Sequence, residues 1–191
     1  RSIGADYFDE LLERIRDIRA SEKRFYQKIR DIYRLAIDYD PKADTTLAFF
    51  KTVQNKLHWA ITGHTAAELI AERVDARKPN MGLTSWKGAK VRKGDVTVAK
   101  NYLNEEEIRN LNRIITMYLD YAEVQAERKQ PIYMKDWVQK LDAFLQFNER
   151  EILTGSGQVS MEVAKRLALE EYVKFSRRRI AEDDEEAEAE F

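Results

Sequence analysis

Apolar residues recur along most of the chain at steps of three and four, the rhythm of helices with one buried face. The first such stretch, "DYFDELLERIRDIRASEKRFYQKIRDIYRLA", carries Phe8, Leu11, Ile15, Ile18, Phe25, Ile29, Ile32 and Ala36 in heptad order, with Glu22 interrupting the run. The spacing predicts an amphipathic helix from about Asp6 to Leu35, on the order of 45 Å long at the helical rise. Such a helix is either packed on its own domain or a stalk that pairs with a second copy. Phe8, Leu11, Ile15, Ile18, Phe25, Ile29 and Ile32 form the candidate oligomerisation seam, and Leu12 and Tyr33 widen the stripe.

Further helices follow, each with punctuation at its ends. Pro41 breaks the first, and Asp44 or Thr45 is placed to cap a second, with Leu47, Phe50, Val53, Leu57 and Ile61 on its apolar face and Phe49 beside it. Gly63 suits a left-handed terminator. "TAAELIAERVDA" reads as a third helix ending near Ala76, with Thr65 and Glu68 as a capping box. Asp95 is placed to cap a short turn and Asn104 a long helix whose buried face is Ile108, Leu111, Ile115, Tyr118, Leu119 and Ala122. Pro131 precedes another, with Trp137, Leu141, Phe144, Leu145 and Asn148 at helical spacing, and Ser160 caps the last. The expected fold is therefore all-α: a long N-terminal helix over 1–37, a compact multi-helix domain over 38–180 with one long ordered loop, and an acidic tail over 181–191 without an apolar face, expected to be disordered.

Composition narrows the classes. Apolar residues make up 43% of the 191 and charged residues 35%, enough for a core beneath a heavily charged surface. The net charge of -1 gives no global field toward nucleic acid, so any such contact needs a local patch. There is no cysteine, which removes disulfides, thiolate metal sites and cysteine nucleophiles. No apolar run suits a membrane span and no leader pattern is present, so a cytoplasmic protein is expected. The chain opens on Arg1 rather than Met, as a fragment would.

Several stretches together resemble the RhuM virulence-protein family: "YFDELLERIRDIRASEKRFYQKIRDIY", "FFKTVQNKLHWAITGHTAAELIAERVDARKPNMGLTSWKG", "DVTVAKNYLNEEEIRNLNRIITMYLDYAE", "MKDWVQKLDAFLQFNEREIL" and "GQVSMEVAKRLALEEY". The resemblance runs from about Tyr7 to Phe175 and leaves out the acidic tail. It implies a C-terminal helical region, joined in full-length members to an N-terminal part similar to phage DNA-binding or antirepressor modules. Some relatives carry a Fic/Doc-type domain after this region. No catalytic residue comes with the resemblance.

The candidate chemistry is sparse. The two histidines, His58 and His64, stand six apart, roughly 120° apart in helical projection and separated by Gly63, a poor spacing for a metal pair. "GHTAAELIAER" lacks the Pro-Phe pair and glycines of a Fic-type transferase, and "GAKVRKGD" lacks phosphate-loop spacing. Glu68 and Glu72 share a helix face with Arg73 following, an arrangement open to a magnesium site or to ordinary helix solvation.

The longest irregular stretch, residues 77–101, holds the strongest candidate. Trp86 with Lys87, Lys90, Arg92 and Lys93 combines a stacking ring with phosphate-neutralising charge. Arg73, Lys78, Asn80 and Lys100 complete the candidate nucleic-acid or ligand site, with Asn80 and Gly82 suited to unusual backbone angles. The plainer alternative makes Trp86 a core anchor and the lysines a solvated rim. No metal or cofactor is expected. The expected function is oligomerisation and partner binding within a phage-like DNA-binding regulator. Its partners would be a second copy and nucleic acid, the latter mainly through an N-terminal part, with no membrane. The competing class is a nucleic-acid- or nucleotide-processing enzyme with its site at the 77–101 loop.

Overall fold

The computed structural model describes residues 3–40, 42–128 and 132–190, with side chains from residue 9 onward except at 15, 18–22, 25, 26, 29, 45 and 126. The fold is all-α, without a strand among the described residues. The α-helices are α1 (Ile3–Tyr33), α2 (Asp44–Thr62), α3 (Ala66–Arg73), α4 (Glu105–Glu127), α5 (Met134–Phe147) and α6 (Met161–Ala189). Two 3-10 turns, Pro79–Gly82 and Ala99–Tyr102, interrupt the connection between α3 and α4. The breaks expected at Pro41 and Pro131 lie outside the described residues.

The tertiary contacts gather into two compact units that interleave along the sequence. One contains the chain up to Leu12, Ala66–Asn104 and the chain from Gly157; the other contains Glu13–Thr65 and Glu105–Ser156.

In the second unit α2 packs on α4 and α5. The α4 face is the expected one: Ile108, Leu111, Ile115, Tyr118, Leu119 and Ala122 are all buried. On α5, Trp137, Leu141, Phe144 and Leu145 are buried, while Asn148 stands just past the helix and donates from Nδ2 to the Phe144 carbonyl at 2.8 Å. The α2 face is rotated from the expected one. Thr46, Phe49, Val53 and Leu57 are buried and Leu47 is 62% exposed. Of the expected face Val53 and Leu57 are buried, and contact with α4 and α5 turns Phe49 inward in place of Leu47.

Tyr33, at the end of α1, is fully buried among these aromatics. Its ring centroid lies 5.0 Å from Phe49 and 5.3 Å from Trp137, and its hydroxyl hydrogen-bonds that of Tyr118. Burial pushes the Tyr118 hydroxyl well above its ordinary pKa, so this phenol stays neutral. Ile32, the last seam residue, is also buried here. Leu11, another seam residue, is half-buried, and the side chains of Phe8, Ile15, Ile18, Phe25 and Ile29 lie outside the described set.

Helix ends follow local chemistry. Gly63 is left-handed at φ 73°, and its N–H closes α2 on the Trp59 carbonyl at 2.9 Å. The Ser160 hydroxyl accepts from the Val163 N–H at 3.2 Å and starts α6. The α2 cap differs from expectation: Ala43 is the cap residue and Asp44 is already helical, where its charge favours the positive helix end. The third helix stops at Arg73, three residues early, because the next residues turn into a tight loop. Continuing α6 to Ala189, the acidic segment is helical where the sequence suggested no regular structure. Alanine and glutamate both propagate helices well, and Arg178 pairs with Glu182 one turn on at 3.6 Å.

Candidate functional site

In the first unit α3 packs on α6, and the two 3-10 turns lie against them. The buried faces are Ala67, Leu69 and Ile70 on α3 and the stripe Ala164, Ala168 and Phe175 on α6. This pair of helices carries the long loop.

The loop starts with an Asp75–Arg77 clasp. The Asp75 carboxylate accepts from the Arg77 backbone N–H at 2.9 Å and from its guanidinium at 3.1 and 3.3 Å. The Arg77 side chain, then its backbone N–H, holds the Asp75 carboxyl below its ordinary range. From α6, Glu171 accepts the Ala76 N–H at 2.8 Å, and that bond, assisted by Lys174, holds its carboxyl low as well.

Next comes a left-handed turn. Asn80 (φ 54°, ψ 30°), Met81 (φ 59°, ψ 22°) and Gly82 (φ 84°) follow one another. Asn and Gly were expected to take unusual angles; Met81 was not. A bulky residue in this region is rare and strained. Met81 is completely buried, and its carbonyl accepts the Asp75 N–H at 3.1 Å, so packing and a backbone bond hold it there. At Gly82 a β-carbon would strike the Arg73 carbonyl oxygen.

The remainder of the loop is tied internally. Thr84 N–H donates to the Asn101 carbonyl at 2.7 Å, and its hydroxyl donates to Leu103. The buried Asp95 carboxylate accepts from the backbone N–H of Arg92 at 2.8 Å and of Lys87 at 3.3 Å. It therefore closes the segment before it, rather than capping the turn after it as expected. Asn101 Nδ2 donates to the Asp95 carbonyl at 2.8 Å, and the Tyr102 hydroxyl donates to Val96 at 2.6 Å. Burial pushes the Tyr102 hydroxyl upward, so it remains a donor. Arg179 of α6 reaches the Val91 carbonyl at 2.9 Å and fastens the loop from outside.

The candidate residues divide on this scaffold. Trp86 is 7% exposed and anchors the loop, so its ring offers no stacking surface in this conformation. Arg73 donates to the Tyr102 carbonyl at 3.1 Å, a structural task. Asn80 belongs to the left-handed turn, and Lys100 is half-buried in the second 3-10 turn. Lys87, Lys90, Arg92 and Lys93 are exposed, with Lys90 3.9 Å from Asp183. Lys78 is exposed and faces a cleft of about 620 Å³, lined also by Glu72, Asp75 and Arg77 and, from α6, by Glu171, Lys174 and Arg178. Glu68 and Arg73 do not line it. The α6 contributions lie about a hundred residues along the chain from the loop, and no local signal in the sequence points to them.

Chemically, the cleft is a set of ionic groups already engaged with one another: Asp75 with Arg77, and Glu171 with Ala76 and Lys174. Among the described residues, no group of three or more histidines and carboxylates is placed to hold a metal ion. The histidines stay apart: His58 is buried on α2, and His64 sits half-buried in the turn, its N–H donating to Thr62 Oγ1 at 3.1 Å. No helix of the described residues is long and apolar enough to cross a membrane.

No curated protein and no solved structure matches the chain. One family model does, that of the virulence protein RhuM family, over residues 1–183, past the limit that the quoted stretches suggested. The chain thus belongs to the RhuM family of virulence proteins.

Proposed function

We propose that this chain is the self-associating, partner-binding region of a virulence-associated, phage-like DNA-binding regulator that works in the bacterial cytoplasm. The observation that carries the reading is the basic rim of the 77–101 loop. Lys87, Lys90, Arg92 and Lys93 are exposed on a backbone pinned by Asp95, Asn101, Thr84 and Arg179. A pinned loop presents its charges at low entropic cost, which favours docking of a polyanion such as nucleic acid. With Trp86 buried, the contact is one of charge rather than stacking, and so without strong sequence preference. Self-association falls to the apolar positions of α1 from Phe8 to Ile29. Ile32 is already used within the chain.

Binding of a short duplex tests the rim. Replacing Lys87, Arg92 and Lys93 with Ala should weaken it and lower the log–log salt slope by roughly one unit for each phosphate no longer neutralised. Binding that persists with an unchanged slope would leave the rim a solvated surface.

One observation favours a second reading, a nucleotide- or nucleic-acid-processing enzyme. Three consecutive left-handed residues stand next to a charged cleft, and backbone strain gathers at functional sites. Turnover of nucleotide or nucleic acid, measured with and without magnesium, separates the two: turnover abolished by Lys78→Ala would favour the enzyme.

A further inference from the structure

A second cleft, in the other unit, belongs to neither reading. The chain leaves α5 through Glu149, left-handed at φ 59°, and Arg150 donates its N–H to the Leu145 carbonyl at 2.9 Å. That reversal brings Leu153 to α2, where its carbonyl accepts from Lys56 Nζ at 3.0 Å. Lys56 is only 8% exposed. Its ammonium also lies 2.9 Å from Asp142 Oδ1, off the line of a good hydrogen bond, so this contact is ionic. Lys56 lines a cleft of about 630 Å³ together with Lys51, Asp142, Thr154, Gly155 and Ser156.

The geometry points to a phosphate-binding site in this cleft, which takes the phosphate group of a small phosphorylated ligand. A buried ammonium costs several kcal/mol unless it is paired and hydrogen-bonded. The Leu153 carbonyl takes one of its three donors and Asp142 balances its charge, which leaves donor capacity on a residue that lines the cleft. Two lysines and one aspartate line the cleft, so its charge balance favours an anion. Thr154 and Ser156 add hydroxyl donors on a loop whose Gly155 has open space where a β-carbon would stand. A phosphate presents three acceptor oxygens to such a donor set, where a carboxylate presents two. The Thr52 hydroxyl is not among the donors, since it bonds the Ala48 carbonyl at 2.9 Å.

Inorganic phosphate, titrated into the isotope-labelled full chain and followed by backbone amide NMR, tests the site. The Gly155 and Ser156 amides should shift and saturate. Lys51→Ala should weaken the binding about tenfold, as expected for one charge-assisted hydrogen bond, and Lys56→Met should abolish it. Should Lys56→Met fail to fold, Lys51→Ala and Ser156→Ala carry the test alone, since both residues are exposed. Shifts that never saturate, that acetate or chloride reproduces at equal ionic strength, or that persist unchanged in these variants would overturn the assignment.

Discussion

At Gly82 the backbone is left-handed and a methyl group would collide with the Arg73 carbonyl. Gly82→Ala should therefore cost about 1–3 kcal/mol, read from denaturant melts. Gly94→Ala, with open space around it, should stay within about 0.5 kcal/mol. Equal costs would mean that the loop relaxes around residue 82. Glu171 gives a pH signature. Its folded-state pKa lies below the ordinary value of 4.5, so its contribution is present above that pH and lost as pH falls through the lower folded value. Glu171→Gln should thus flatten the fall in stability on acidification, and a fall identical to that of the unmutated protein would show that Glu171 contributes nothing to it. Single residues with strong backbone preferences were legible from sequence: Gly63, Ser160, Asn80 and Gly82. Met81 was not, because tertiary packing holds it against its own preference. The role of Trp86 was legible only as one of two options, because a tryptophan beside lysines suits a buried anchor as well as a stacking surface.

Elements were legible where one apolar face is unambiguous. The α4 face matches its periodicity, with Ile114 added to it, and the α5 face matches at Trp137, Leu141, Phe144 and Leu145, with Asn148 falling past the helix. The α2 face was legible only in part, because two overlapping stripes share Val53 and Leu57, and only contact with α4 and α5 chooses between Leu47 and Phe49. The end of α6 shows that polarity alone does not exclude a helix when propensity is high. On α6, the small residues Ala164 and Ala168 are fully buried. Enlarging the second, Ala168→Leu, should overpack this face and cost about 1–3 kcal/mol, and should loosen the loop that Arg179 fastens, seen as faster hydrogen exchange at Arg92 and Asn101. A neutral substitution, with exchange unchanged, would show that α6 does not hold the loop.

For the molecule as a whole, the two units draw on separated parts of the chain, which a reading segment by segment has no means to see. The clefts share this property: Glu171 meets Ala76, and Lys56 meets Asp142, across about ninety residues of sequence. What the sequence does carry is the apolar heptad of α1, and the proposed regulator reading depends on it, because that reading has two copies pair through α1. Leaving several large apolar side chains in water forfeits about 1.5–3 kcal/mol each, so the Phe8–Ile29 positions require a covering surface. Sedimentation equilibrium over a range of concentrations, on the unmutated chain and on Ile18→Asp/Phe25→Asp, is the most direct test. A dimer is expected, and the double substitution should convert it to a folded monomer. An unmutated chain that stays monomeric at high micromolar concentration, or a double variant that unfolds without a change in association, would contradict the regulator reading.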